Sequence, residues 1–199
     1  MQNAYNISQL IAEYPDLEKW DTIRQQKILA DTTRLYPFFQ VLAVHNLNGD
    51  QLARSSGLLT NRSERWWFKK FMMEKKPYIS KTYYSLFSES PVTTIVHGIY
   101  SNGNLDGLLM ADIETNQLQQ MVENYNSGEG SYAYLLDGEG VVIAHPNRQQ
   151  VAELYNYKTM KKKVLLRDAS GKLLKDDKNN KRLPKKSGRR LLLLCATGH

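Results

Sequence analysis

Seven consecutive residues, Arg62-Ser63-Glu64-Arg65-Trp66-Trp67-Phe68, set two cations beside three aromatic rings. An arginine next to an aromatic ring can hold a carboxylate through two parallel hydrogen bonds while the ring keeps water out. The same stretch also suits a helix in which Trp67 and Phe68 enter a core, Trp66 is a partly exposed cover and both arginines are solvated. Asp112 is the second candidate. It stands in Ala111-Asp112-Ile113 at the end of an apolar run, where composition alone favours a carboxylate that caps the following helix.

Catalytic signatures are missing from the sequence. There is no Gly-x-Ser-x-Gly elbow, no Gly-rich phosphate cradle and no His-Glu-x-x-His. His45, His97, His145 and His199 are far apart, and none has a second ligand-type residue at metal spacing on a helix face. His97 and the His145-Pro146 pair read as packing and turn features. Cys195 is the single cysteine, which excludes an intrachain disulfide and a multi-cysteine metal site. No metal and no cofactor is expected.

The elements that must position these residues can be read from the periodicity. Apolar residues between Ile7 and Leu35 (Leu10, Ile11, Leu17, Trp20, Ile23, Ile28 and Leu29) mostly fit one helical face, interrupted at Tyr14-Pro15-Asp16, with Asp16 as the cap of the second piece. Phe38–Asn46 reads as a strand, returning after Asn48-Gly49-Asp50 through Leu52 and Ala53. A helix is expected over Asn61–Glu74, then strands over Tyr78–Tyr84, Val92–Ser101 and Gly107–Glu114, the last two joined at Asn102-Gly103-Asn104. Leu118–Tyr125 is a short helix, and Gly128-Glu129-Gly130 is a break. A second hairpin follows, Tyr132–Leu136 and Val141–Ala144 around Asp137-Gly138-Glu139-Gly140, with a further candidate hairpin at Val164–Leu166 and Leu173-Leu174.

The formal charge of +7 is unevenly spread. Residues 1–157 carry thirteen Lys and Arg against seventeen Asp and Glu, whereas residues 158–199 carry fourteen against three. The basic pI therefore describes the tail. A basic-tailed nucleic-acid-binding protein is the rival reading, weakened by the absence of aromatics among those cations. No run approaches the roughly 18–20 apolar residues of a membrane span, and Met1 is not followed by a secretory signal.

Taken in order, Tyr36-Pro37-Phe38-Phe39, Asn48-Gly49-Asp50-Gln51, Arg54-Ser55, the Arg62–Phe68 cluster, Tyr78-Ile79-Ser80, Tyr83-Tyr84-Ser85, Ala111-Asp112-Ile113 and Asp137 through Pro146 resemble the double Cache (dCache) sensor family over about residues 5–160. The resemblance implies an extracytoplasmic ligand-binding domain of a bacterial receptor such as a chemoreceptor or sensor kinase, with no catalysis of its own. One branch of that family binds α-amino acids, holding the carboxylate with an Arg-x-Trp pair and the ammonium with a Tyr and an Asp. Arg65 and Trp67 match the pair, Tyr83 the tyrosine and Asp112 the aspartate. Three positions depart from that branch: Phe68 stands for a tyrosine, Thr60 for a tyrosine and Ser85 for an acidic residue. The ligand-binding set implied is Arg65, Trp67, Phe68, Tyr83, Ser85 and Asp112, and both an α-amino acid and a small organic carboxylate stay open as ligands.

The expected fold is α/β, α+β in layer terms, with mostly antiparallel sheets in PAS-like modules. A helical stalk spans 1–37, a membrane-distal ligand-binding module 38–127 and a truncated membrane-proximal module 128–174, with 175–199 a disordered or foreign basic tail. The expected partner is a small molecule, not nucleic acid. The full-length receptor is expected to be membrane-tethered, and a homodimer is compatible with this plan.

Overall fold

In the computed structural model the N-terminal apolar pattern resolves into three helices laid on one face of a sheet. The structure describes residues 1–18, 21–85, 90–125 and 131–163. Helix α1 (Gln2–Ala12) buries Ala4, Ser8, Ile11 and Ala12, spaced by four, three and one, which is one stripe of a 3.6-residue helix. Pro15 lacks a backbone N–H and so starts the short α2 (Pro15–Glu18) at no hydrogen-bond cost. The cap of α3 (Thr22–Leu35) is Asp21 and not Asp16: its carboxylate accepts from the N–H groups of Ile23 and Arg24 at 3.1 Å each, and Asp16 lies inside α2. Leu10 and Ile23 face solvent at 68% and 81% exposure, so the apolar stripe is narrower than the sequence pattern.

The main sheet is antiparallel throughout, in the order β2-β1-β6-β5-β3, with β4 also paired to β5. Its strands are β1 (Phe39–Asn46), β2 (Gln51–Arg54), β3 (Tyr78–Ile79), β4 (Tyr83–Tyr84), β5 (Pro91–Ser101) and β6 (Asn104–Glu114). The β5–β6 hairpin closes on Asn102 and Gly103, both at positive φ (50° and 80°), as a two-residue turn matched to strand twist requires. The strand expected over Tyr78–Tyr84 is broken in two, because Ser80 bonds to both backbone groups of Thr94, accepting the Thr94 N–H at its Oγ and donating its own N–H to the Thr94 carbonyl.

Period-two alternation divides the sheet's side chains between two cores. Phe39, Leu42, Val44, Ile95, Ile99, Leu109 and Ile113 pack beneath the N-terminal helices around Leu17 and Leu29. Val41, Ala43, Val92, Val96, Leu108 and Met110 meet α4 (Trp66–Glu74), which contributes Trp67, Phe68 and Phe71. Phe71 is fully buried, and its truncation to alanine would cost about 3–5 kcal/mol. Helix α4 begins at Trp66 instead of Asn61 and ends at Lys75 in the left-handed conformation.

Beyond β6 come α5 (Asn116–Glu123), a two-stranded sheet of β7 (Leu135–Leu136) and β8 (Val142–Ala144), and α6 (Arg148–Ala152). Gln119 of α5 exchanges hydrogen bonds with the backbone of His145 and so holds this smaller sheet. The architecture is α+β: N-terminal helices, a six-stranded antiparallel sheet and a small second sheet. Trp20, the glycine-rich break at 128–130, the candidate hairpin at 164–174 and the tail 175–199 lie outside the described residues.

Candidate ligand-binding site

A cavity of about 30 Å³ opens on the face of the main sheet that carries α4. Five of the six residues singled out from sequence line it: Arg65, Trp67, Tyr83, Ser85 and Asp112. Phe68 is not among the lining residues; it is buried in the core beside Trp67, 6.1 Å between ring centroids. The lining is completed by Met110 and by Arg54 and Arg62.

The loop before α4 is held by the first hairpin. Gly49 has φ of +85°, and a β-carbon there would fall 2.5 Å from the backbone nitrogen of Ser63, so no other residue lets the loop approach this closely. The Gly49 carbonyl accepts the Arg62 N–H at 2.7 Å, and Asn61 Nδ2 donates to Asp50 at 2.7 Å. This seating puts Arg65 at the N-cap position of α4, its guanidinium 5.9 Å from the centroid of the Tyr83 ring. Trp66 meets that ring edge-on at 5.5 Å. Thr60 does not line the cavity; its N–H and hydroxyl both engage Gln51 Oε1.

Asp112 does not cap a helix. Strand β6 continues to Glu114, the N-cap position of α5 is Thr115, and the Asp112 carboxylate points into the sheet face opposite the N-terminal helices. Thr94, its cross-strand partner on β5, donates its hydroxyl to Asp112 Oδ1, and the Tyr83 hydroxyl lies 2.6 Å from Thr94 Oγ1 and 3.3 Å from the same carboxylate oxygen. Among the described residues no hydrogen bond reaches Oδ2. Burial pushes the Asp112 carboxyl above its ordinary range, against the pull of Thr94, Tyr83, Arg54 and Arg65. The Tyr83 phenol is raised well above its usual value by burial and then by Asp112.

Tyr83 is fixed from the side of the smaller sheet as well. One residue earlier, the Thr82 N–H donates to Asp137 Oδ2 at 2.8 Å, while Asp137 Oδ1 accepts from Glu139 and Val141. Lys81 pairs with Glu139 at 3.3 Å and lies 5.5 Å from the Trp66 ring.

The ligand-binding set expected from sequence leaves out Arg54 and Arg62, although Arg62 stands in the cluster of cations and aromatics, and His45, beside the cavity, reads in the sequence only as one of four scattered histidines. Arg54, only 4% exposed, alternates with Ala53 on β2, and an inward-pointing arginine on a short strand was the available signal. His45 is fully buried against Trp67 (5.4 Å, edge to face), and among the described residues neither ring nitrogen has a hydrogen-bond partner. Burial, then Arg62 and Arg54, hold its pKa down to about 3.

A helix-backed antiparallel sheet thus carries on its other face a small polar cavity, lined among the described residues by three arginines and one carboxylate. The chain matches the Cache domain family (dCache_1) over residues 1–190 and belongs to it. It is an extracytoplasmic sensor domain, with no catalysis of its own.

Solved structures share the fold. The ligand-binding domain of Mlp24 with asparagine superposes with a TM-score of 0.57 at 21% identity, over 77% of this chain and 63% of that one. The ligand-binding domain of the Campylobacter jejuni chemoreceptor Tlp3 in complex with L-norvaline gives 0.59 at 14% identity, over 75% and 63%. An extracellular domain ascribed to a histidine kinase, vpHK1S-Z8, gives 0.60 at 16% identity, over 78% and 63%. The chain thus spans about 63% of the length of these solved chains.

Proposed function

We propose that this chain is the ligand-binding part of a membrane-tethered signalling receptor and that its cavity takes a small carboxylate-bearing molecule, an α-amino acid in preference to an acid without an amine. The observation that carries the reading is the meeting of Arg65 and Asp112 on one cavity. A zwitterion desolvated there has each charge answered, its carboxylate by Arg65 beside Trp67 and its ammonium by Asp112 Oδ2 beside Tyr83. The amino acids named with Mlp24 and Tlp3 support the same class.

A volume of about 30 Å³ holds about two water molecules. An amino acid therefore enters only as the lining moves outward, and a ligand that favours the opened lining shifts the population of receptor conformations by its differential affinity. Residues 38–127 form the ligand-binding module in this reading, 1–37 the stalk, 128–174 the membrane-proximal module and 175–199 a tail outside both; a homodimer would set two stalks side by side.

The test is calorimetric titration of the twenty amino acids and of matching amine-free acids, on the native chain and on Arg65→Ala. Loss of the cation should weaken the best ligand by on the order of 2–5 kcal/mol. Unchanged affinity in Arg65→Ala, or no binding by any carboxylate, would overturn the reading.

A further inference from the structure

We infer that the ligand carries a second anionic group and that Arg62 receives it, so that the pocket selects acidic ligands; the inference deepens the proposed function and rests on it. A plain zwitterion uses one cation and one anion, and Arg65 with Asp112 supplies them. Arg62 then remains in the lining of the same cavity. Its guanidinium is half-buried, and among the described residues no hydrogen bond or ion pair engages it, although its backbone is fastened to Gly49. A guanidinium partly removed from water without an acceptor is unfavourable, and a ligand oxygen would correct this.

The surroundings strengthen the case. Arg62 is held below its ordinary pKa by burial and by Arg65, and Arg54 by burial and by Arg62, so these cations disfavour one another across the cavity. Burial, and after it Arg62 and Arg54, keep the imidazole of His45 neutral. Asp112 is the only carboxylate among the described lining residues. Beside the cavity, both nitrogens of His45 and Nε2 of Gln51 are buried with no partner among the described residues, while Gln51 Oε1 already accepts from Arg54 and Thr60. Among the described lining residues three guanidinium groups face one carboxylate, an excess of positive charge that suits a ligand carrying one more anion than a plain zwitterion.

A ligand of net charge −1, an amino acid with a side-chain carboxylate, meets this arrangement: its α-carboxylate at Arg65, its ammonium at Asp112 and its side-chain carboxylate at Arg62.

The experiment is calorimetric titration of the full chain with L-aspartate, L-glutamate, L-asparagine, L-glutamine, L-alanine, succinate and acetate, repeated on Arg62→Gln. The expected result is that one acidic amino acid binds about tenfold or more tightly than its own amide, and that Arg62→Gln narrows this gap to about twofold or less by weakening the acidic amino acid more than the amide. The gap should narrow as salt is raised. An amide or alanine binding as tightly as the acidic amino acid would overturn the inference and leave the proposed function standing. Equal loss for all ligands in Arg62→Gln would also overturn it, since Arg62 would then serve the shape of the pocket only. Succinate binding more tightly than every amino acid would keep the second anion and overturn the preference for an amine. Absence of binding by both acidic amino acids would overturn the inference, whereas the proposed function falls only if none of the twenty amino acids and no amine-free acid binds.

Discussion

Asp137 and Thr82 join the two sheets: a carboxylate oxygen in the turn between β7 and β8 accepts the backbone N–H of Thr82 at 2.8 Å, one residue before the pocket tyrosine. Asp137→Asn keeps an acceptor for the turn through Oδ1 but faces Thr82 with an N–H. Amide hydrogen exchange should quicken for Thr82–Ser85 by about tenfold or more, corresponding to about 1.4 kcal/mol of lost local protection, while β5 and β6 keep theirs. Unchanged exchange at Thr82 would show that the bond contributes nothing to holding Tyr83.

Asp112 should give an asymmetric mutant response. Asp112→Asn should weaken an amino acid by about 1.5–3 kcal/mol, the scale of a charged hydrogen bond, and should leave the matching amine-free acid unchanged or tighter. Titration of both ligands on both proteins at one ionic strength measures the difference. Equal losses would mean that the carboxylate serves the sheet and not the ligand.

The same residue predicts a pH dependence. Its folded-state pKa is raised by burial, and only the ionised form pairs with an ammonium, so amino-acid affinity should fall as pH drops toward that raised value from neutrality. Binding should release protons in this range, visible as a buffer-dependent enthalpy. Asp112→Asn should abolish that dependence.

Stability should respond to acid through a different group. His97 is buried against Ser8 of α1 (3.0 Å) and Tyr5, and burial lowers its pKa from 6.5 to about 4 despite the opposing pull of Glu13. The unfolded chain binds this proton near pH 6.5 and the folded chain only near pH 4, so stability present above pH 6.5 is lost as pH falls through that window. The slope is at most about 1.4 kcal/mol per pH unit for one such histidine. Urea unfolding of the native chain and of His97→Gln at pH 7 and pH 5 should differ by that one-proton slope.

Gly49 should tolerate no side chain. Gly49→Ala combines a positive φ with a contact to the Ser63 backbone, and should destabilise by about 1–3 kcal/mol while weakening ligand binding through the displaced Arg62–Arg65 loop. Thermal unfolding and titration read the two effects separately. Gly103→Ala, at a turn with open space around it, should cost stability without touching affinity.

Much of this was legible in the sequence because local signals and the final fold agree. Alternation in Val92–Ser101 and the Asn-Gly turn gave the long hairpin, since a buried face and a positive-φ turn each have few alternatives. Helix caps were less legible: Asp16 and Asp21 are both plausible, and only the path of the chain after Pro15 selects Asp21. The role of Asp112 divides in the same way. Its local sequence suits a cap, and the longer strand that places it opposite Thr94 is a cross-strand property that local sequence does not contain. Arg54, Arg62 and His45 come together from β2, a loop and β1, so their mutual repulsion is written only in three dimensions.

Strand β5 has one further consequence. Thr94 turns toward the cavity and bonds Asp112, while His97, three residues or about 10 Å along, turns toward α1 and meets Ser8. One strand thus bears on the cavity through Thr94 and on the first helix of the chain through His97. Thermodynamic reciprocity then applies: whatever free energy an occupied cavity lends to the seating of α1, the seating of α1 lends to the ligand in equal measure, so any such coupling would make a variant that loosens Ser8 from His97 change affinity at a pocket it never touches.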